Sequence, residues 1–457
     1  MKVVKTLIAL FLCIETSMLF ASDFDIYKKS QKHYQSKDYY TALHLIASLY
    51  KYKTPDQNIQ HYIEKLVAHT GTYYFNTYND IELRKMNIPT TDLLMAKRNL
   101  YLKKYPFALK RLKKFPEGHR LYPEALLVKA TTYYQQKNFS KAIEVYNSCY
   151  EAAAEKLSKE DDKVYEYYFV LKDTCQSNIA RIHFEKQDYQ KAIDSYEKVS
   201  KRSFKWPYLL REKAWSYYYL GQYNRSLGML MTYQSPLLKS YFLPEVEYLK
   251  ALNYFKLCRY NEAVVVMDNF FKEYQPKSEK LRKVIRSKDS KAMAYFDMMF
   301  TPIVDTEKDH HFLRNAITQI TKRVKYQLDI KSFYALNEEI YRGNKSANLS
   351  LLLELQKDLK EQINHYTRVS IYQFINEIHR TAELMLNLKL EALSRQRTMA
   401  YSSQRNKHKK KIESNNIPTQ DVSFPSNQNF WQFYKEFWAD ELGEYVFTLK
   451  SECKRKG

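Results

Sequence analysis

The side chains best suited to holding a metal stand together at Asp305, Glu307, Asp309, His310 and His311. Carboxylates and imidazoles ligate divalent cations, but this spacing matches no standard metal motif, and a solvated loop is the expected reading. Catalytic patterns are missing elsewhere. The sequence has no phosphate-binding glycine loop, no G-x-S-x-G elbow, no H-E-x-x-H helix and no cysteine cluster. No catalytic residue, cofactor or metal is therefore expected. What the chain offers is binding chemistry: the guanidinium groups of Arg181 and Arg211 set among Tyr134, Phe184, Trp215, Tyr218, Tyr248 and Phe255. Flat rings with interspersed cations suit an extended peptide or an amphipathic helix that carries carboxylates.

A repeated pattern must position these residues. Ala130, Tyr133, Phe139, Ala142 and Tyr146 return at the same offsets as Ala180, His183, Tyr189, Ala192 and Tyr196. Two more copies read Ala214, Tyr217, Tyr223, Ser226 and Leu230, then Ala251, Tyr254, Tyr260, Ala263 and Met267. A weaker copy starts at Ala96, with Asn99, Tyr105, Ala108 and Leu112, and another at Ser30, with His33, Tyr39, Ala42 and Ile46. The two small residues of each copy fall on the facing sides of a helix hairpin. A missing side chain there lets the backbones approach, and the aromatic residues fill the volume beside the crossing.

Steps near 34 residues with small residues at the crossing resemble the tetratricopeptide repeat, a helix–turn–helix unit stacked into a solenoid. The resemblance implies that the first helix of each unit lines a concave face. On that face the residue after the packing aromatic is Tyr134, Phe184, Tyr218 or Phe255. Three positions earlier stand Thr131, Arg181, Trp215 and Leu252, and a turn before those Leu127, Ser177, Arg211 and Tyr248. This aromatic ladder is either a groove for a partner or a face packed under the chain's own C-terminal helix. The repeat sets the scaffold and leaves the ligand open.

Only 7 Gly and 12 Pro against 24 Phe and 42 Tyr describe a chain of 457 residues with few tight turns and much aromatic packing, which favours an all-α build. Lys2 and Lys5, then an apolar stretch over residues 6–20, read as a signal peptide cut after Ala21. No later run approaches the ~18 to 20 apolar residues of a membrane span, so export to the periplasm or cell envelope is expected. Removing Lys2, Lys5 and Glu15 reduces 74 basic and 51 acidic residues to 72 and 50, a formal charge of +22. Such an excess suits anionic lipid, cell-wall polymer, an acidic protein or nucleic acid, and export argues against the last. Four cysteines remain: Cys149, Cys175, Cys258 and Cys453. Cys149 ends one repeat and Cys175 begins the next, so that pair is either a disulfide or two free core thiols.

Taken in order, the chain divides into a signal peptide (1–21), a solenoid (22–275, with clear repeats from about 123), a helical C-terminal region (276–398), a basic flexible linker (399–429) and an aromatic segment (430–457). Residues 151–168 lengthen one hairpin without breaking the stack. The repeat pattern stops at Pro276. Residues 349–393 form one long helix, coiled-coil-like or laid against the solenoid. The final segment holds Phe430, Trp431, Phe433, Tyr434, Phe437, Trp438, Tyr445 and Phe447, with an alternating run from Tyr445 to Leu449 that reads as a strand. So much apolar surface must dock on the chain itself or in a partner.

The run from Glu436 to Tyr445, with Cys258-Arg259-Tyr260 and the segment from Trp215 to Pro236, looks like exported repeat proteins of the adventurous gliding motility type. That looser resemblance implies an envelope scaffold and supplies no catalytic residues. The expected function is a non-enzymatic scaffold that holds envelope proteins together, with Arg181, Phe184, Arg211, Trp215, Tyr218, Tyr134, Tyr248 and Phe255 facing the partner. The alternative is a peripheral module for peptidoglycan or anionic lipid, and an unrecognised hydrolase comes third.

Overall fold

The computed structural model describes residues 23–159, 162–238, 241, 243–289, 291, 293–300, 317–321, 323–342, 348–407 and 436–453. The signal peptide and the Asp305 to His311 group lie outside them. The helices are α1 (23–35), α2 (Tyr39–Leu49), α3 (Gln57–Thr70), α4 (Asp80–Met86), α5 (Pro89–Tyr101), α6 (Tyr105–Leu112), α7 (Tyr122–Gln135), α8 (Phe139–Lys159), α9 (Asp162–Glu185), α10 (Tyr189–Glu197), α11 (Trp206–Tyr219), α12 (Tyr223–Met231), α13 (Pro244–Lys256), α14 (Tyr260–Asp289), α15 (Ala294–Phe300), α16 (317–321), α17 (Val324–Arg342) and α18 (Leu349–Lys407). No strand occurs among the described residues. The fold is an all-α helical solenoid, as expected, followed by long C-terminal helices. Sequential pairs such as α5 with α6, α7 with α8, α11 with α12 and α13 with α14 pack together.

Six hairpins share one local solution. The small crossing residues Ser30 and Ala42, Ala96 and Ala108, Ala130 and Ala142, Ala180 and Ala192, Ala214 and Ser226, and Ala251 and Ala263 are all fully buried. Serine is tolerated because its hydroxyl finds a partner. Ser30 Oγ donates to Ala42 O at 2.8 Å, and Asn253 Nδ2 donates to Ser226 Oγ at 2.9 Å. Each connecting turn holds one residue in the left-handed region: Lys37, Lys103, Lys137, Gln187, Gly221 or Cys258. The next N–H closes back five residues, as Asn138 to Tyr133 O at 3.0 Å and Arg259 to Tyr254 O at 2.9 Å, which satisfies carbonyls at the end of the first helix.

The chain forms two compact units, one through Lys172 with Arg323–Asn364, the other Asp173–Lys322 with the chain from His365 onward. The expected C-terminal region, 276–398, is therefore shared between them. In the first unit, α17 returns to pack on α2 and α3. Its buried Glu339 accepts the main-chain N–H groups of Tyr40 at 2.7 Å and Thr41 at 2.8 Å, capping α2 from across the sequence. Cys149 belongs to this unit and Cys175 to the other. Both are disulfide-bonded, so neither is a free thiol.

In the second unit, α14 carries Pro276 inside it and runs on to Asp289, so the end of the repeat pattern at that proline is not the end of a helix. The C-terminal half of α18 lies on α13 and α14, where Met385, Leu388 and Ala392 join Ala251, Ala263, Met267 and Phe270 in one core. Because α18 extends to Lys407, the first nine residues of the expected linker are helical; the rest lies outside the described residues. Nor is the run from Tyr445 to Leu449 a strand. It is an irregular strap whose main chain bonds to helix α12, and Cys453 closes a disulfide with Cys258. Leu442 of the aromatic segment is buried, Phe437, Tyr445 and Phe447 are half-buried, and Trp438 is exposed.

Candidate partner-binding face

In the second unit the expected ladder stands on α11, α13 and the part of α9 from Asp173 onward, the first helices of three consecutive hairpins. Both arginines expected to await a partner's carboxylates already hold carboxylates of this chain. Arg181 grips Glu212 through two bonds of 2.8 Å, and Tyr196 Oη donates to the same carboxylate at 2.9 Å. Arg211 pairs with Glu245 at 2.9 Å and stands 3.7 Å from Glu377 of α18. Glu245 is bridged further, since Trp215 Nε1 donates to its other oxygen at 2.7 Å. Two-point pairing of this kind is shorter and stronger than a neutral hydrogen bond.

The electrostatics follow from that wiring. Burial pushes the Glu212 carboxyl up, but the bonds and charge of Arg181, with Tyr196 and Arg211, outweigh it and hold the group below the usual carboxylate range. For Arg211, burial opposes the charge, and Glu245 chief among its neighbours more than restores it, leaving the guanidinium more basic than usual. Lys205, at the entry to α11, is pulled down to about 8 by burial and then by Arg181 nearby.

The ladder residues have a structural duty as well. Each packs on the aromatic that opens the second helix of its own hairpin: Phe184 on Tyr189 at 5.4 Å, Tyr218 on Tyr223 at 5.7 Å and Phe255 on Tyr260 at 5.2 Å. In the first unit, Tyr134 does the same with Phe139 at 6.0 Å. Tyr34 and Tyr39 repeat the arrangement at 5.5 Å, so these rings clasp the turn they flank. Tyr248, Leu252 and Phe255 also pack against the core that α13, α14 and α18 share, so at the fourth repeat these residues are part of the chain's own packing. The rest form a different group. Tyr219 stacks on Tyr189 with ring centres 5.1 Å apart and planes 11° apart, and on Trp215 at 5.8 Å and 27°. Phe184 meets Tyr219 edge-on at 5.7 Å. Tyr219, the middle ring of this stack, is nevertheless 52% exposed.

Sequence reasoning reached Arg181, Phe184, Arg211, Trp215 and Tyr218 but missed Tyr219 and the carboxylates Glu212, Glu245 and Glu377. The tyrosine triplet at 217–219 was a legible signal, because the third ring must point away from the crossing that the first one fills. Nothing in spacing alone pairs Arg211 with residues 34 and 166 positions away. Among the described residues no group of three His, Cys, Asp or Glu could hold a metal, and no helix is long and apolar enough to cross a membrane.

No family model matches the sequence, and no curated protein does. Among solved structures the chain is similar to the TPR domain of P58(IPK), at 12% identity over 81% of this chain and 99% of that one, with a TM-score of 0.21. A circular tandem repeat protein with novel repeat topology and enhanced subunit contact surfaces gives 10% identity over 86% and 92%, with a TM-score of 0.13. At these TM-scores neither likeness carries an argument. The fold stands on the chain's own hairpins.

Proposed function

We propose that the protein is a non-enzymatic interaction scaffold, exported to the periplasm or cell envelope, whose second unit captures a segment of a protein partner on the α9–α11 face. One observation carries this reading: the stacked rings of Tyr189, Tyr219 and Trp215 are centred on a tyrosine of a first helix that is still half-exposed. Stacked aromatic surface left partly open to water is the usual anchor of a protein contact. The arginines serve as internal struts of that face, and the partner meets rings rather than free cations. The leader supports export, and a part in envelope assembly is the role we assign; the gliding-motility resemblance gains no support from the comparisons.

The second reading, a peripheral module for peptidoglycan or anionic lipid, is favoured by the +22 charge of the leaderless chain. One experiment separates the two. The full chain is recovered from crosslinked envelopes beside its Tyr219→Ala variant, and both are tested for sedimentation with purified peptidoglycan and with anionic vesicles. A protein partner captured by the parent and lost at least tenfold in the variant, with an unchanged circular dichroism spectrum, supports the scaffold. Undiminished capture by the variant overturns it. Binding to peptidoglycan or vesicles with no protein partner favours the module.

A further inference from the structure

The strap from Gly443 to Glu452 runs along α12 and across the α13–α14 turn, held by its own main chain. Asn224 takes Leu449 at both ends of one residue: Nδ2 donates to Leu449 O at 3.1 Å, and Leu449 N donates to Oδ1 at 3.2 Å. Phe447 N donates to Asn224 O at 3.1 Å, Glu452 N to Leu257 O at 2.9 Å, and Gly443 N to Thr232 Oγ1 at 3.0 Å. Contacts of this kind recognise a peptide backbone with little regard to its side chains.

Gly228 gives an independent sign that α12 is shaped for this contact. Glycine inside a helix is unfavourable relative to alanine, yet here a Cβ would lie 1.6 Å from Tyr445 O and 2.8 Å from Val446 Cα. The helix gives up a side chain so that the strap's backbone can lie directly on it. The strap is then tied down by the bond between Cys258, in the left-handed turn position, and Cys453. Both cysteines are half-buried, within reach of solvent.

We propose that the α12 surface from Asn224 to Gly228, continued by Leu257, is a binding site for the main chain of an unfolded or extended peptide, filled in cis by residues 443–452 and gated by the Cys258–Cys453 disulfide. Opening the gate is thiol–disulfide exchange with a dithiol reductant. One thiolate of the reductant attacks Cys453 Sγ, the Sγ–Sγ bond breaks, and the electron pair leaves on Cys258. The second thiol of the reductant then attacks the mixed disulfide, closing a bond within the reductant and releasing Cys453 as a thiolate. Two protons complete the pair of cysteine thiols, and the dithiol is oxidised. The freed strap stays at high effective concentration, so a peptide in trans competes with it rather than meeting an empty site.

The test uses the full chain and a fluorescein-labelled synthetic peptide copying residues 440–453 with Cys453→Ser. Backbone hydrogen exchange and fluorescence anisotropy are measured for the oxidised parent, for a Cys453→Ser chain, which opens this bond without touching those at Cys149 and Cys175, and for Cys453→Ser combined with Gly228→Ala. The oxidised parent should protect the Phe447, Leu449 and Glu452 amides and leave the peptide unbound. Cys453→Ser should raise exchange at those amides at least tenfold and bind the peptide. Adding Gly228→Ala should abolish peptide binding while the amides of α12 stay protected, which separates loss of the site from loss of the helix. Equal protection in the oxidised parent and Cys453→Ser overturns the gate. Failure of Cys453→Ser to bind the peptide, or undiminished binding after Gly228→Ala, overturns the site.

Discussion

Arg211→Ala tests whether the arginines of the inner face are struts or ligand hooks. The side chain is 20% exposed, and the replacement leaves Glu245, 37% exposed, with Trp215 Nε1 and takes from Glu377, 39% exposed, the guanidinium that stands 3.7 Å away. Breaking a buried pair costs about 3–5 kcal/mol, because an uncompensated charge is left behind. An exposed pair is worth about 0–1 kcal/mol. Both glutamates are open enough to be hydrated, so the discounted loss is about 1–2 kcal/mol. In a cooperative unit of roughly 150–250 residues each kcal/mol shifts the melting temperature by about 2–4 °C, giving a drop of about 2–8 °C. Calorimetry on the full chain reads this directly. A double-mutant cycle should find coupling of about 1 kcal/mol with Glu245→Gln at 2.9 Å, and less with Glu377→Gln at 3.7 Å. Unaltered melting together with loss of partner capture would refute the strut assignment and return Arg211 to the partner.

Glu212→Gln should destabilise the chain at neutral pH, with the deficit shrinking in acid. The folded-state pKa of Glu212 is depressed from 4.5, so its contribution is fully present above that value and is lost as pH falls through the lower folded one. Melting temperatures of parent and variant measured from pH 7 down to about pH 3 should therefore converge, and a constant gap would contradict the assignment. Ala192→Leu places a branched side chain where two helix backbones cross at a fully buried position and should cost about 1–3 kcal/mol or more. Ala192→Ser should be far milder in the same urea titration, as serine occupies the matching position at Ser226.

The repeat was legible because it is written in short-range physics. Small residues recur where backbones must touch, and each connecting turn closes on its own hairpin, so the register at Ala130, Ala180, Ala214 and Ala251 survives any change in what packs outside it. The turn's left-handed residue was not legible, because five of the six positions carry a residue other than glycine and the local hydrogen bonds hold the strain. The cores of the hairpins and the start of α18 could be read by period, but its end could not: the helix runs to Lys407 and not to residue 393.

Pairings across long stretches of sequence could not. The resemblance to a stacked repeat implied that Arg181 and Arg211 share one face, but whether a cation there is free depends on which carboxylate the fold brings beside it, and Glu377 arrives from a helix far along the chain. The same limit hid Glu339 capping α2 and Cys453 meeting Cys258, 195 residues away. Sequence by itself therefore determined the all-α hairpins and their inner faces, since those depend on spacing within about one repeat. Tertiary structure alone decided which of those faces are already occupied, because occupancy depends on where distant segments return, and local spacing holds no record of that.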